Sequence, residues 1–274
     1  MVCQFFSGLW KARFFEPMGC VLEFIALSNE SSNRDLTGGP PVVDQNGKHP
    51  LAREIVGCAR TRIKMCGLTR RADIDQAVRL GVDALGFVFY PKSKRYVSPQ
   101  AAHDLVKGLP AFVTTVALFV QPEESFVREV LDAMHPGLLQ FHAEESPEYC
   151  DAFSWPYIKA FRVGGPGMTS SFELEEACFR YRQARGWLYD SYTAAYGGSG
   201  HGFDRSLLDG VKANPQSRSL ILSGGLTVEN VESLVRQIQP WAVDVSSGIE
   251  SAPGEKCPVK MKAFVQAVRE ADAA

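Results

Sequence analysis

The chain has 274 residues, with 29 basic and 31 acidic side chains and a formal charge of −2, so it can bury one large core plus an appendage but has no excess of positive charge to hold a nucleic-acid backbone. Its seven cysteines (Cys3, Cys20, Cys58, Cys66, Cys150, Cys178 and Cys257) are odd in number and lack CxxC or zinc-like Cys/His spacing, which predicts reduced thiols, a cytoplasmic location and no metal. No apolar run approaches the roughly 20 residues that span a bilayer; the nearest, 19–27, is broken by Glu23, and Glu16 and Glu23 together spoil a secretory signal.

Residues 1–60 read as an N-terminal extension outside the main fold. Aromatic pairs at Phe5-Phe6 and Phe14-Phe15 give way to a polar stretch, 28–47, containing Gly38-Gly39-Pro40-Pro41, the composition of a linker or flexible arm. Residues 61–274 behave differently. A short strand is predicted at 62–66, and Thr69 is the expected cap of a helix running to residue 80, with Ile74, Ala77 and Val78 on one face. The unit then repeats, with strands at 84–89, 113–120, 138–141, 157–161, 187–189, 220–222 and 242–245. Helical patterns lie at 99–106, 124–134, 147–153, 172–184, 206–213, 230–237 and 258–270. Eight strand–helix units with near-continuous apolar strands predict an α/β fold, a (β/α)8 TIM barrel with a non-barrel N-terminal extension. An open doubly wound sheet shares the local alternation, but its GxGxxG turn is replaced after the first strand by Cys66-Gly67-Leu68-Thr69.

A barrel opens all strand C-termini onto one face, and that is where the candidate residues fall. Cys66 ends the first strand with Lys64 on the same face, so a cation would stand beside a thiol and favour its ionisation to a base or nucleophile. Lys64 could instead form a Schiff base, and Cys66 could be a small core residue. Asp190 ends the sixth strand, either as a loop cap or as an acid partner for the thiol. His142 after the fourth strand and Arg95 after the second are candidate ligand groups, with Arg95 suited to clamping a carboxylate. Asp244 lies inside the eighth strand, as a ligand-fixing or a structural carboxylate. Ser223-Gly224-Gly225 follows the seventh strand and is expected to open a helix, while Ser246-Ser247-Gly248 follows the eighth; the pair predicts a phosphate site.

Read together, Ile63-Lys64-Met65-Cys66-Gly67-Leu68-Thr69, the run Gly86 to Val97 with Pro91-Lys92-Ser93-Lys94-Arg95, Gln140-Phe141-His142, Asp190, Gly197-Gly198-Ser199-Gly200 with Phe203-Asp204, Ser223-Gly224-Gly225-Leu226 and the run Asp244 to Glu250 resemble phosphoribosylanthranilate isomerases of tryptophan biosynthesis over about 62–268. The resemblance implies an aldose–ketose isomerisation, the Amadori rearrangement of N-(5-phosphoribosyl)anthranilate to 1-(2-carboxyphenylamino)-1-deoxyribulose 5-phosphate, with no cofactor. It implies Asp190 as general acid and Cys66 as general base. It also implies Lys64, Arg95, Gln140, His142 and Asp244 as substrate-binding residues, and Gly198, Gly224, Gly225, Ser246, Ser247 and Gly248 as the phosphate site. The expected partner is the small-molecule substrate, on a monomer or homodimer, with no nucleic acid or membrane. The chain departs from the family pattern at Phe141-His142-Ala143, where Leu-His-Gly is usual, at Arg205, where Trp follows Phe-Asp, and at Lys256-Cys257, where Lys-Asp is usual. Two other readings compete: a dual-substrate sugar isomerase, which would carry an aspartate at the position of Cys66, and a catalytically idle phosphosugar-binding or interaction protein.

Overall fold

A computed structural model describes Phe5–Phe6, Leu9–Trp10 and residues 60–192 and 202–274. The chain divides into two units, Met1–Val42 and Val43–Ala274. In the first, Phe5–Phe6 pairs antiparallel with Leu9–Trp10. The linker expected at 28–47 lies outside the described residues.

The second unit contains eight parallel strands: β1 (Arg62–Cys66), β2 (Ala84–Val88), β3 (Thr114–Phe119), β4 (Leu138–Phe141), β5 (Tyr157–Val163), β6 (Gly186–Ser191), β7 (Ser219–Leu222) and β8 (Ala242–Val245). They close in sequence order, with β8 pairing β1, so the predicted barrel is the observed one. The helices are α1 (Arg71–Arg79), α2 (Pro99–Val106), α3 (Glu124–Met134), α4 (Pro147–Asp151), α5 (Ser171–Phe179), α6 (Asp209–Ala213), α7 (Val231–Ile238) and α8 (Pro258–Asp272). None of the described helices is long and apolar enough to cross a membrane.

The two-residue period of each strand sorts its side chains between two cores. On β1, Ile63 and Met65 join the core between sheet and helices, leaving Lys64 and Cys66 for the barrel interior. The interior floor is apolar, with Val116, Ile158, Ala160, Leu188, Ile221 and Ala242 packed together. Outside, α3 buries Val127, Val130, Leu131 and Met134, and α8 buries Met261, Phe264, Val265 and Val268. Both sets follow the spacing of one helical face.

Local side-chain capping accounts for three of the eight helix starts. Ser98 and Ser146 each accept a backbone N–H ahead of a proline, and Ser170 with Glu173 forms a capping box. Thr69 is a correction: its hydroxyl donates to the Gly254 carbonyl at 2.7 Å, so α1 begins at Arg71 with no side-chain cap. The helix expected at 230–237 is found at Val231–Ile238, and the loop between it and Ser223-Gly224-Gly225 is closed by Asn230, which accepts from Thr227 N–H and donates to the Gly225 carbonyl.

Candidate active site

The C-terminal ends of the strands form a funnel lined by Cys66, Arg95, His142, Asp190, the Ser223-Gly224-Gly225 turn, Asp244 and Ser246-Ser247, among others. A concave mouth with a few convergent polar groups suits a small-molecule ligand.

Its deepest polar group is an ion pair built by strand register. Lys64 and Asp244 are partners across the β1–β8 seam, and Lys64 Nζ donates to Asp244 Oδ1 at 2.8 Å with both side chains buried. Burial works against the Lys64 charge, yet Asp244 and Cys66 outweigh it and leave the amine above its ordinary value. The expectation that a neighbouring cation would leave the Cys66 thiol easier to ionise is corrected here. Burial pushes the thiol up, Lys64 pulls it down, Asp244 pushes it up again, and the balance lies above the ordinary thiol value. Lys64 is already neutralised by Asp244, and that weakens its pull on the sulfur.

Across the mouth, His142 Nε2 lies 3.1 Å from Asp190 Oδ2, and Asp190 Oδ1 accepts the Ser191 N–H at 2.8 Å. The other imidazole nitrogen lies 3.0 Å from Gln140 Nε2. With the amide donating to Nδ1, the ring proton sits on Nε2 and is shared with Asp190. Phe141 leaves this geometry undisturbed because it points outward, against Phe119, Tyr149, Phe153 and Tyr157.

The turn that carries His142 is held from beneath by a pair that sequence reasoning missed. Lys159 and Glu145 are both buried and meet at 3.2 Å. Lys159 Nζ also donates to the carbonyls of Phe141, Ala143 and Ala160, while the Glu145 carboxylate accepts the N–H groups of Gln121 and Ala143 at 2.9 Å. The available signal was a lone lysine in the apolar run Tyr157-Ile158-Lys159-Ala160-Phe161. A charge buried there requires a partner.

Arg95 reaches the mouth with two of its nitrogens already engaged: Nε and Nη2 each donate to Glu250 at 2.7 Å. Glu250 also accepts from the fully buried Lys256 at 2.8 Å, and Lys256 donates to the Ser246 carbonyl at 3.1 Å. Glu250 and Lys256 therefore brace the Arg95 and Ser246 loops, a role that a one-residue reading of either would not reveal. Gly224, at φ +76, sits so close to β6 that a Cβ would collide with Ser191 and come within 3.0 Å of Asp190 Oδ1. A Cβ on Gly248 would fall on the Leu226 carbonyl, so the turns after β7 and β8 are packed against each other.

The fold thus gathers Cys66, Arg95, His142, Asp190, Asp244, Gly224, Gly225, Ser246 and Ser247 around one cavity. Lys64 and Gln140 stand behind that wall, holding Asp244 and His142, while Gly248 sits within the turn rather than on the lining. Gly198 lies outside the described residues.

The model of the N-(5'-phosphoribosyl)anthranilate (PRA) isomerase family matches residues 63–267. The chain belongs to that family. An N-(5'-phosphoribosyl)anthranilate isomerase of Bordetella parapertussis is 54% identical over 213 residues, covering 78% of this chain and 98% of its own. One from Dechloromonas aromatica is 49% identical over 214 residues, with the same shares. Among solved structures, the phosphoribosyl anthranilate isomerase of Thermotoga maritima is 40% identical with a TM-score of 0.69, covering 77% of this chain and 99% of its own. Another, solved with reduced 1-(o-carboxyphenylamino)-1-deoxyribulose 5-phosphate, is 37% identical with a TM-score of 0.66 and the same coverage. Within phosphoribosylanthranilate isomerases, the matched segment spans nearly the whole enzyme, and residues 1–62 of this chain precede it.

Proposed function

We propose that the barrel mouth performs the Amadori rearrangement by paired acid and base, Asp190 and Cys66. The overall reaction follows from the family: the chain is a phosphoribosylanthranilate isomerase of tryptophan biosynthesis, an enzyme that converts N-(5-phosphoribosyl)anthranilate to 1-(2-carboxyphenylamino)-1-deoxyribulose 5-phosphate. The observation that carries the assignment of roles is that a thiol and a carboxyl line one funnel, each with its own supporting group.

In this reading, Asp190 enters as the carboxylic acid and gives its own proton to the ribose ring oxygen, the ring opens, and the anthranilate nitrogen becomes part of a protonated Schiff base, while the carboxylate left behind accepts from the His142 Nε2–H. That electron sink acidifies the proton on the second sugar carbon. Cys66, as thiolate, removes it to give an enol amine, which tautomerises to the ketone. Arg95 Nη1, the terminal nitrogen not bonded to Glu250, serves the anthranilate carboxylate. Asp244 serves the ligand's amine or hydroxyl, and the turns after β7 and β8 serve the phosphate. Lys64 and Gln140 act from behind, through Asp244 and His142.

Asp190→Asn tests the acid. Loss of anthranilate fluorescence from freshly made substrate is expected to slow about 10²–10⁴-fold in kcat, with affinity for the reduced product analogue retained. Weak analogue binding with intact turnover would move Asp190 from chemistry to binding.

Residues 1–60 are read as an extension appended to a barrel domain at 61–274, and the balanced charge and cysteine usage favour a cytoplasmic enzyme without a nucleic-acid partner. A dimeric relative from Thermotoga maritima gives precedent for a homodimer, and sedimentation equilibrium separates that state from a monomer.

A further inference from the structure

Arg205 is a half-buried guanidinium with no carboxylate bonded to it among the described residues. It opens the 3-10 turn Arg205–Leu208 that leads into α6. Its Nη1 donates to the Ser223 carbonyl at 3.3 Å, its Nη2 to the Gly224 carbonyl at 2.8 Å, and its Cζ lies over the Phe203 ring, 3.8 Å from the centroid. Burial pulls it down to about 10, and Asp190 is the acid whose charge works in the opposite direction. A cation taken partly out of water, with carbonyls but no bonded counterion, favours an anion nearby.

The peptide geometry says where that anion belongs. In a trans peptide the N–H points opposite to the C=O. Tying the Ser223 and Gly224 carbonyls to Arg205 therefore turns the N–H groups of Gly224 and Gly225 away from it. Both glycines line the funnel, and neither N–H has a protein acceptor among the described residues. Successive outward N–H groups form an anion-binding concavity, and a cation on the carbonyl side polarises the same peptides in the direction an anion needs.

We infer that Arg205 is a positioning residue of the phosphate subsite: it fixes the turn after β7 with its N–H groups toward the cavity and supplies positive charge behind them for a phosphate monoester dianion. This rests on reading that turn as part of the phosphate site. Arg205 does not touch the sugar or the anthranilate in this assignment, so it sets affinity for one end of the substrate.

The test compares the full-length enzyme with Arg205→Met and Arg205→Lys. The measurements are inhibition by inorganic phosphate, and binding of reduced 1-(o-carboxyphenylamino)-1-deoxyribulose with and without its 5-phosphate, at low and high salt. Arg205→Met is expected to weaken inorganic phosphate and the phosphorylated analogue about tenfold, the scale of one charge-assisted interaction, while leaving the dephosphorylated analogue unchanged. Arg205→Lys is expected to recover part of the loss because it restores charge without the fork, and the salt dependence of phosphate binding should shrink in Arg205→Met. If Arg205→Met does not fold, Arg205→Gln keeps an amide donor without charge and is read the same way. Equal losses for the two analogues, or no loss for either, in variants of a parent enzyme that prefers the phosphorylated one would overturn the role of Arg205 alone. A parent enzyme with no preference between the analogues would overturn the phosphate-turn reading, and this inference with it.

Discussion

At the scale of single residues, the thiol is the unusual choice, since burial raises Cys66 above the ordinary value while Lys64 opposes that rise. A base must lose its proton before it can act. Because the folded enzyme disfavours the thiolate, the active fraction should grow with pH, and the limb of kcat/KM governed by the thiol should still be rising as pH passes through the ordinary thiol range. Lys64→Met removes the group that most strongly lowers the thiol, so the rising limb should move to still higher pH; a limb that stays in place would detach Lys64 from the ionisation of Cys66. The Lys64–Cys66 adjacency was legible from the two-residue period of a strand. The direction of the shift was not, because it depends first on how deeply the fold buries the thiol and then on Asp244, a residue 180 positions away that register brings to Lys64.

At the scale of elements, the loop after β4 illustrates how a side chain at the barrel mouth is held by atoms outside the funnel lining. His142 itself was visible in Gln140-Phe141-His142, whereas its support comes from Lys159 on β5 and Glu145 beyond the turn. Removing one partner of a fully buried pair leaves the other charge in a poor solvent. Lys159→Met is predicted to cost about 3–5 kcal/mol in urea unfolding and to reduce turnover by loosening the His142 turn, with Glu145→Gln in the same chain returning part of the stability. An unchanged unfolding midpoint in the single variant would show that the pair supports neither. The boundaries of elements were less legible than their existence. Thr69 has the chemistry of a cap, but a tertiary acceptor at Gly254 lies within reach of its hydroxyl and takes it from the helix. By contrast, the helix expected at 230–237 begins within one residue of its place, and Asn230 ties the loop before it to the Gly225 carbonyl.

At the scale of the whole molecule, the alternation of apolar strands and amphipathic helices narrowed the fold to a closed barrel or an open doubly wound sheet, and eight successive units with no GxGxxG turn after the first strand favoured the barrel. The same closure places the C-terminal ends of β1 and β6 on one funnel, which is how Cys66 and Asp190 come to share it. What the pattern could not supply was the inner scaffold: Glu250 and Lys256 behind Arg95, and Arg205 behind the Gly224 carbonyl, are pairings between polar side chains and distant partners with no period to betray them. The central claim is that the thiol of Cys66 takes the proton from the second sugar carbon. The most direct measurement is single-turnover decay of anthranilate fluorescence with substrate deuterated at that carbon, alongside Cys66→Ala and its affinity for the reduced product analogue. The account predicts a slower chemical step for the deuterated substrate with the parent enzyme, and a Cys66→Ala variant that binds the analogue normally yet loses turnover about 10²-fold or more. A Cys66→Ala variant that turns over at the parent rate, with the same isotope effect, would contradict it and assign the base to another group.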